Sequence, residues 1–268
     1  MSNNLFNDIL SASAEKHGSM VNATRELMQI FTLAALNRGG FFENAAFYGG
    51  TCQRIFYGLD RYSEDLDFSL LSKYENFSFS EYIRFIEDEF ALAGIKVTVS
   101  SKRKNTDTFI QTAYLTTNEL DSKIKIKIEI DTYPPPCFDT EYKLLMQPYS
   151  FYTRCYTLSS SFAGKMHALL YRSWRDRIKG RDWYDFEWYV RKGTAIDLKH
   201  FNERVHQFEK LKIVFTGESL RSFLKEKILS TDIDLAKKDI LPFINNTEKL
   251  DIWDRSYFLQ VADQMKIM

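Results

Sequence analysis

Cysteine is scarce in this chain of 268 residues: Cys52, Cys137 and Cys155 are odd in number and lack the spacing of metal ligands. This scarcity favours a reducing environment over a secreted, disulfide-stabilised protein. The polar N-terminal sequence has no basic-then-apolar signal pattern. No window approaches the roughly 18 consecutive apolar residues of a membrane span. We therefore expect a soluble, cytoplasmic protein that has no membrane partner.

An excess of charge of either sign is also missing. Lys and Arg total 36 and Asp and Glu total 36, so the formal net charge is zero. This balance argues against general avidity for nucleic acid, although it leaves room for a local basic cleft. Hydrophobic residues make up 44% and aromatic residues 15% of the chain, which is enough to build a core rather than a disordered chain.

The pattern along the chain divides it into two parts. Helical periodicity over residues 3–38 is followed by strand-like and helical segments up to residue 131, and a triple proline at 134–136 ends this pattern. The pattern from about residue 157 is helical, over 157–178, 181–191, 198–209, 217–229 and 247–267. We predict an α+β fold, with a mixed sheet and flanking helices in residues 1–148 and a helical domain in residues 149–268.

The stretch from Phe47 to Leu70 begins with a turn suited to phosphate. Gly49 and Gly50 have no Cβ, so the backbone there can bend tightly and approach a ligand. We expect Thr51 to cap a short helix over 51–57, whose free N–H groups and positive dipole end suit a phosphate. Taken alone, such a sequence is most often an ordinary turn.

Two carboxylates follow this turn closely. Asp65 and Asp67 are two residues apart on an extended segment, so they project from one face, while Leu66 and Phe68 bury the other. An isolated pair of this kind is usually a solvated strand edge. Two adjacent negative charges nevertheless repel unless a cation neutralises them, and carboxylate oxygens suit Mg²⁺ shared with substrate phosphates. Together, the turn and the acid pair predict a nucleotidyltransferase.

The segment 123–131, KIKIKIEID, is a strand with isoleucine at every second position. Its polar face offers a third carboxylate that can complete the metal site and assist deprotonation of the acceptor. The candidates are Glu129 and Asp131, and we favour Glu129. The lysines on the same face are either a solvated face or a stripe that binds phosphate backbone; they are Lys123, Lys125 and Lys127.

A second informative stretch, Lys165–Trp188, combines positive charge with two later carboxylates. On a helix, Lys165 and Arg172 fall on one side, where they can hold a triphosphate by charge. Asp182 and Asp185 share a face of the next helix, and Asp182 suits an N-cap or a first-turn acid. Further positive charge comes from Arg175, Arg177, Lys179 and Arg181. The alternative is an ordinary helical hairpin joined by salt bridges.

The motifs GGT…RYSEDLDF and KMHALL…RIKGRDWYDF together resemble the AbiEii/AbiGii toxin family of nucleotidyltransferases, over residues 45–190. That family includes MenT-like toxins and belongs to the DNA polymerase β superfamily. The resemblance implies a polymerase-β-type catalytic fold joined to a helical domain. It assigns Gly50 and Thr51 to the phosphate-binding turn, and Asp65 and Asp67 to the metal pair. It also assigns Lys165 to the triphosphate, and the later required aspartate to Asp182 or Asp185, of which we favour Asp185.

The resemblance also implies Mg²⁺ or Mn²⁺, a nucleoside triphosphate donor, and a toxin of a toxin–antitoxin or abortive-infection (antiviral) system restrained by a cognate antitoxin. We expect transfer of a nucleoside monophosphate to RNA, foremost the tRNA 3′ end, with a protein hydroxyl as the alternative acceptor. Lys165, with Arg172 or Arg181, would offset charge on the leaving pyrophosphate. The rival interpretations are a non-catalytic nucleotide-binding module and a structural helical adaptor.

Overall fold

A computed structural model of the protein describes residues 5–17, 19–74, 76–102, 109–117, 124–172 and 178–268. The chain divides into two compact units. Unit 1 comprises Met1–Gly58, Tyr62–Pro134 and Thr140–Cys155. Unit 2 comprises Leu59–Arg61, Pro135–Asp139 and Tyr156–Met268. The short segment Leu59–Arg61 therefore belongs to unit 2, although both of its chain neighbours belong to unit 1.

Within the described residues, unit 1 is built on a mixed sheet of seven strands. The strands are β1 (Ala45–Tyr48), β2 (Leu66–Leu70), β3 (Thr98–Lys102), β4 (Ile110–Thr117), β5 (Ile124–Asp131), β6 (Thr140–Leu145) and β7 (Phe151–Tyr156). Their order in the sheet is β3-β4-β5-β2-β1-β7-β6. Strands β2 and β5 are parallel, and β1 is antiparallel to β2 and parallel to β7. The isoleucines of β5 are all buried, as their alternation predicts.

The described helices of unit 1 are α1 (Leu5–His17), α2 (Met20–Arg38), α3 (Gly49–Tyr57) and α4 (Ser80–Leu92). A cluster of aromatic rings joins three of them, because Phe31 lies 5.4 Å from Phe6 and 5.8 Å from Phe90 between ring centroids. Such ring pairs add stabilisation beyond the apolar area they bury. Helix α3 starts directly at the end of β1, and this junction carries the Gly-Gly turn.

Unit 2 is helical. Its main elements are α5 (Leu158–Tyr171), α6 (Gly180–Arg191), α7 (Leu198–Arg204), α8 (Gly217–Ser230), α9 (Ile233–Ile240) and α10 (Arg255–Gln264). A pair of two-residue strands, β8 (Ala195–Ile196) and β9 (Lys266–Ile267), joins its last residues to the loop before α7. Within the ranges given above, no helix has both the length and the apolar character needed to cross a membrane.

The predicted fold class is confirmed: a mixed sheet with flanking helices, followed by helices. The division between residues 148 and 149 stays a prediction, and β7 of the sheet follows that position. The predicted helix over 157–178 is wrong in extent, because α5 ends at Tyr171 and Arg172 has an extended backbone. The predicted helix over 247–267 is also wrong, since α10 begins only after Asp254, whose side chain accepts from the Tyr257 N–H and caps it.

Helix α6 begins with a glycine because its backbone lies against α9. A Cβ built on Gly180 would lie 2.0 Å from the carbonyl oxygen of Ala236, a distance that real contacts do not reach. The Gly180 N–H also donates to the Asp239 carboxylate at 2.9 Å. This close approach holds the start of α6, the helix that carries Asp182 and Asp185.

We expect Gly180→Ala to lower the free energy of unfolding of unit 2 by about 2 kcal/mol or more, since backbone atoms must move to admit the methyl group. Gly164→Ala is the matched control, because its Cβ would meet only the Arg204 side chain at 3.6 Å. Urea denaturation followed by tryptophan fluorescence measures both variants, since all four tryptophans lie in residues 174–253. Equal stability of the two variants would contradict this account.

Candidate active site

The Gly-Gly turn makes room for one of the predicted metal-binding carboxylates. Gly49 has a φ of +80°, and a Cβ on it would lie 2.2 Å from Oδ2 of Asp67. The antiparallel pairing of β1 with β2 sets Tyr48 opposite Asp67, which brings the turn to this carboxylate. Gly49 is therefore required both by its left-handed backbone and by the nearness of Asp67.

Thr51 does not cap the helix, so that prediction is wrong. Helix α3 starts at Gly49, its N-cap residue is Tyr48, and no side chain caps it. Thr51 and Gly50 are buried in the first turn, and the Thr51 hydroxyl donates to the backbone carbonyl of Asp65 at 2.5 Å. The side chain of Thr51 thus joins the turn to the acidic segment.

The segment that leads into the acid pair is held by two further contacts. The Gln29 side-chain amide, from α2, donates to the carbonyl of Ser63 at 3.2 Å. The Arg54 guanidinium lies 4.3 Å from the centre of the Tyr62 ring, and it also pairs with Glu26. These contacts fix the backbone before β2, so Asp65 is presented from an ordered segment.

Asp67 and a third carboxylate lie side by side on neighbouring strands. The parallel register pairs Asp67 of β2 with Glu129 of β5, and Asp65 directly precedes β2. Asp131 is paired with Ser69 instead, and its Oδ1 accepts from the backbone N–H of Tyr133 at 2.9 Å. The register therefore favours Glu129 over Asp131 as the third carboxylate.

A lysine shares this face of the sheet. The Lys127 Nζ atom lies 2.7 Å from Oε1 of Glu129. Although partial burial acts to lower the pKa of Lys127, the hydrogen bond and charge of Glu129, together with the charge of Asp65, raise it above its ordinary value. Lys125 behaves differently, with its ammonium group 3.9 Å from the centre of the Tyr114 ring. Lys123 lies outside the described residues.

The three carboxylates of Asp65, Asp67 and Glu129 in unit 1 suit a divalent ion that is shared with a substrate. Across the part of the chain that the structure describes, no three His, Cys, Asp or Glu side chains converge as a ready-made metal site. Mg²⁺ commonly takes only one or two protein carboxylates and completes its shell with phosphate oxygens and water. Asp65 and Asp67, with Glu129 in register beside Asp67, supply oxygen donors of that kind.

Unit 2 gathers the predicted residues of the second motif around one ammonium group. Lys165 of α5 lies 3.1 Å from Oδ1 of Asp182 and 2.7 Å from Oδ2 of Asp185, both on α6. Arg172 approaches the other oxygen of Asp182 at 3.7 Å. Asp182 lies in the first turn of α6, which confirms that part of its prediction. Arg181 of the same helix lies over the Phe243 ring at 4.2 Å, while Arg175 and Arg177 lie outside the described residues.

Arg61 is the residue of this cluster that the sequence did not reveal. Its Nε and Nη2 atoms lie 2.5 and 2.7 Å from the two oxygens of Asp185, a bidentate pair. Both side chains are buried, with 2% exposure for Arg61 and none for Asp185. The segment is held further by Asp60, which accepts from the Tyr184 hydroxyl at 2.7 Å. The only sequence signal for this role is an arginine just before the acid pair.

Electrostatics keep Asp185 ionised in spite of its burial. Burial acts to raise the pKa of Asp185, but the charges and hydrogen bonds of Arg61 and Lys165 outweigh it and hold the pKa below its usual range. Asp185 has no exposure, and its carboxylate pairs with the Arg61 guanidinium and the Lys165 ammonium group instead of facing solvent. The predicted salt-bridged helical hairpin therefore describes how the cluster is held together, and it does not compete with a functional role for Lys165.

Comparison with known proteins identifies the family of this chain. The model of the family described as "Nucleotidyl transferase AbiEii toxin, Type IV TA system" matches residues 32–261. The chain therefore belongs to the AbiEii family of nucleotidyltransferase toxins, as the motifs predicted. It is an enzyme of the nucleotidyltransferase class, from a family that belongs to type IV toxin–antitoxin systems.

Solved structures that match this chain include two from Helicobacter pylori. The chain resembles JHP933 from Helicobacter pylori with a TM-score of 0.52 and 19% identity, over 92% of this chain and 89% of that one. A candidate nucleotidyltransferase from H. pylori gives a TM-score of 0.48 and 19% identity, over 90% of this chain and 89% of that one. The likeness to JHP933 supports the fold. Comparison with curated proteins gives no match.

Gly49→Ala tests whether the turn makes room for Asp67. We expect it to reduce nucleotide transfer by about 100-fold or more, since the new methyl group displaces a carboxylate that must be held in place. Gly58→Ala is the matched control, because Gly58 has a similar φ of +79° but open space around its Cβ position. Both variants carry the same backbone strain, but only Gly49→Ala places a methyl group against Asp67. Initial rates of nucleotide incorporation therefore separate the effect of displacing Asp67 from the effect of backbone strain. Equal losses would contradict the role given to Gly49.

Arg61→Met tests the buried pair. We expect it to lower the free energy of unfolding of unit 2 by about 3–5 kcal/mol, because Asp185 loses its bidentate partner in a buried site. Lys225→Met is the control, since it breaks the exposed Lys225–Asp263 pair of the same unit and is expected to cost about 0.5 kcal/mol or less. Urea unfolding followed by tryptophan fluorescence measures both, and a loss for Arg61→Met no larger than the control would show that the pair is not structural.

Proposed function

We propose that this protein is a divalent-metal-dependent toxin that transfers a nucleoside monophosphate from a nucleoside triphosphate to RNA. The observation that carries the proposal is the set of three carboxylates in unit 1. Asp65 and Asp67 stand at the start of β2, Glu129 is in register beside Asp67, and Gly49 lacks the Cβ that would obstruct Asp67. A purely structural module would gain nothing from three neighbouring carboxylates, because like charges placed together destabilise a fold.

In this mechanism Asp65 and Asp67 would hold Mg²⁺ or Mn²⁺, and Glu129 would complete the acceptor side. When bound, the metal neutralises the triphosphate and orients it for in-line attack. The backbone N–H groups at Gly50 and Thr51, at the start of α3, face the phosphates with a positive dipole end. Glu129 would also accept the proton of the attacking hydroxyl. Positioning and charge neutralisation supply most of the rate.

Lys165 supplies the second element of the proposal, on the strength of the family motif. Its ammonium group offsets charge on the leaving pyrophosphate, and Arg172 or Arg181 of unit 2 adds positive charge. Asp182 and Asp185 orient Lys165, and Arg61 holds Asp185 in turn. Loss of Arg61 or Asp185 is therefore expected to reduce activity through Lys165.

RNA is the acceptor that we favour, and the tRNA 3′ end in particular. The resemblance to toxins that modify tRNA supports this choice, and so does the positive charge of Lys125 and of the basic stretch around Arg172 and Lys179. We place the toxin in the cytoplasm under the control of a cognate antitoxin, with a role in defence against phage. Transfer to a protein hydroxyl is the alternative, which the same carboxylates can support.

Asp65→Asn is the decisive variant for the proposed reaction. We expect it to abolish incorporation of labelled nucleotide into total RNA, by at least about 100-fold, because it removes charge from the metal site while keeping the size of the side chain. Glu129→Gln is expected to cause a comparable loss. Asp131→Asn is the matched control from the same strand and is expected to retain activity, since Asp131 is paired with Ser69 rather than Asp67 and its Oδ1 accepts from the backbone N–H of Tyr133.

The assay is run with each labelled nucleoside triphosphate against total RNA and total protein. Label in RNA supports the favoured acceptor, and label in protein alone favours the alternative. Nucleotide binding without transfer to either would support a non-catalytic module. Normal incorporation by Asp65→Asn would overturn the mechanism.

A further inference from the structure

The ammonium group of Lys127 lies beside the carboxylates that are proposed to bind the metal ion. Its strand, β5, pairs in parallel with β2, and alternation puts Lys127 and Glu129 on the face that also carries Asp67. The Lys127 ammonium group lies 2.7 Å from Glu129, and both side chains are about one-third exposed, at 36% and 30%. Asp65 acts on the same ammonium group by charge.

We propose that Lys127 is the resident counter-ion of this site and that a divalent metal ion binds by displacing its ammonium group from Glu129. The inference rests on the proposed function, in which Asp65, Asp67 and Glu129 receive the metal. In the absence of metal, Lys127 offsets the repulsion among these carboxylates. It therefore also competes with the metal for the same oxygens.

The neighbouring lysine shows that this placement is specific to one position. Lys125 lies on the same strand and the same face, yet its ammonium group packs over the Tyr114 ring at 3.9 Å. A solvated stripe of lysines would give both residues the same surroundings. Only Lys127, of the two lysines described on this face, has a carboxylate of the site as its ion-pair partner.

Competition of this kind has a functional consequence. An ammonium group near the carboxylates lowers the affinity for a metal ion that arrives alone, because the two cations repel. A metal ion that arrives with a nucleoside triphosphate brings phosphate oxygens, with which the displaced ammonium group can pair. Lys127 thus favours loading of the site by the metal–nucleotide complex over the free metal.

Binding of Mn²⁺ to the nucleotide-free protein, measured by electron paramagnetic resonance, tests the inference. We expect Lys127→Met to bind Mn²⁺ on the order of tenfold more tightly than the wild type, since a unit and a divalent charge about 6 Å apart in water repel by that factor. Lys127→Gln is a second neutral variant in case Lys127→Met does not fold. Lys127→Arg keeps the charge and is expected to stay near the wild-type affinity, and Lys125→Met is expected to leave it unchanged.

Unchanged or weaker Mn²⁺ binding by the neutral variants would overturn the inference, and so would undetectable binding by every variant. An equal gain in Lys125→Met would also overturn it, because the effect would then reflect general surface charge. The test of Lys127 can fail without contradicting the proposed reaction, and the reverse also holds. Loss of transfer in Asp65→Asn with no gain in Lys127→Met would refute only the role of Lys127, whereas normal transfer in Asp65→Asn would refute the proposed function itself.

Discussion

The parallel pairing of β2 with β5 is the constraint on which the candidate chemistry depends. It sets Asp67 beside Glu129, at the point where β1 turns into α3 through Gly49. Buried isoleucines on the other face of β5 hold that strand in register, and a shift by one residue would turn the carboxylates into the core. The apolar face of the sheet therefore determines which carboxylates meet on the polar face.

The main electrostatic feature of unit 2 is a buried, ionised carboxylate. This carboxylate, Asp185, is completely buried, and a bidentate arginine and a lysine keep it ionised. Such a network stabilises a protein little beyond what apolar packing would provide, but it is costly to break. The network holds the Lys165 ammonium group between Asp182 and Asp185, and the proposed contact of Lys165 with phosphate requires a side chain held in this way.

Much of the fold and of the candidate site is predictable from local sequence patterns. The alternation of isoleucine in β5 and the glycines before α3 predict the strand, the turn and the carboxylate-bearing edge. The motif around Lys165, Asp182 and Asp185 places three members of the buried cluster. The family follows from these motifs together.

Other features depend on tertiary contacts that leave little trace in the sequence. Strands β6 and β7 were not predicted, since they follow the triple proline at which the strand-like pattern of the sequence ends. Arg61 gives no local sign of its partner, because Asp185 lies 124 residues away in the chain. Thr51 resembles a helix cap in sequence, yet its hydroxyl bonds to the Asp65 carbonyl of the next segment.

The central claim is that Asp65 and Asp67 hold a divalent ion together with the donor nucleotide. A crystal structure with Mn²⁺ and a non-hydrolysable nucleoside triphosphate, phased on the anomalous signal of manganese, tests it directly. We predict an anomalous peak about 2.1 Å from oxygens of both carboxylates and in contact with the phosphates. A bound nucleotide with no manganese at these carboxylates would contradict the account.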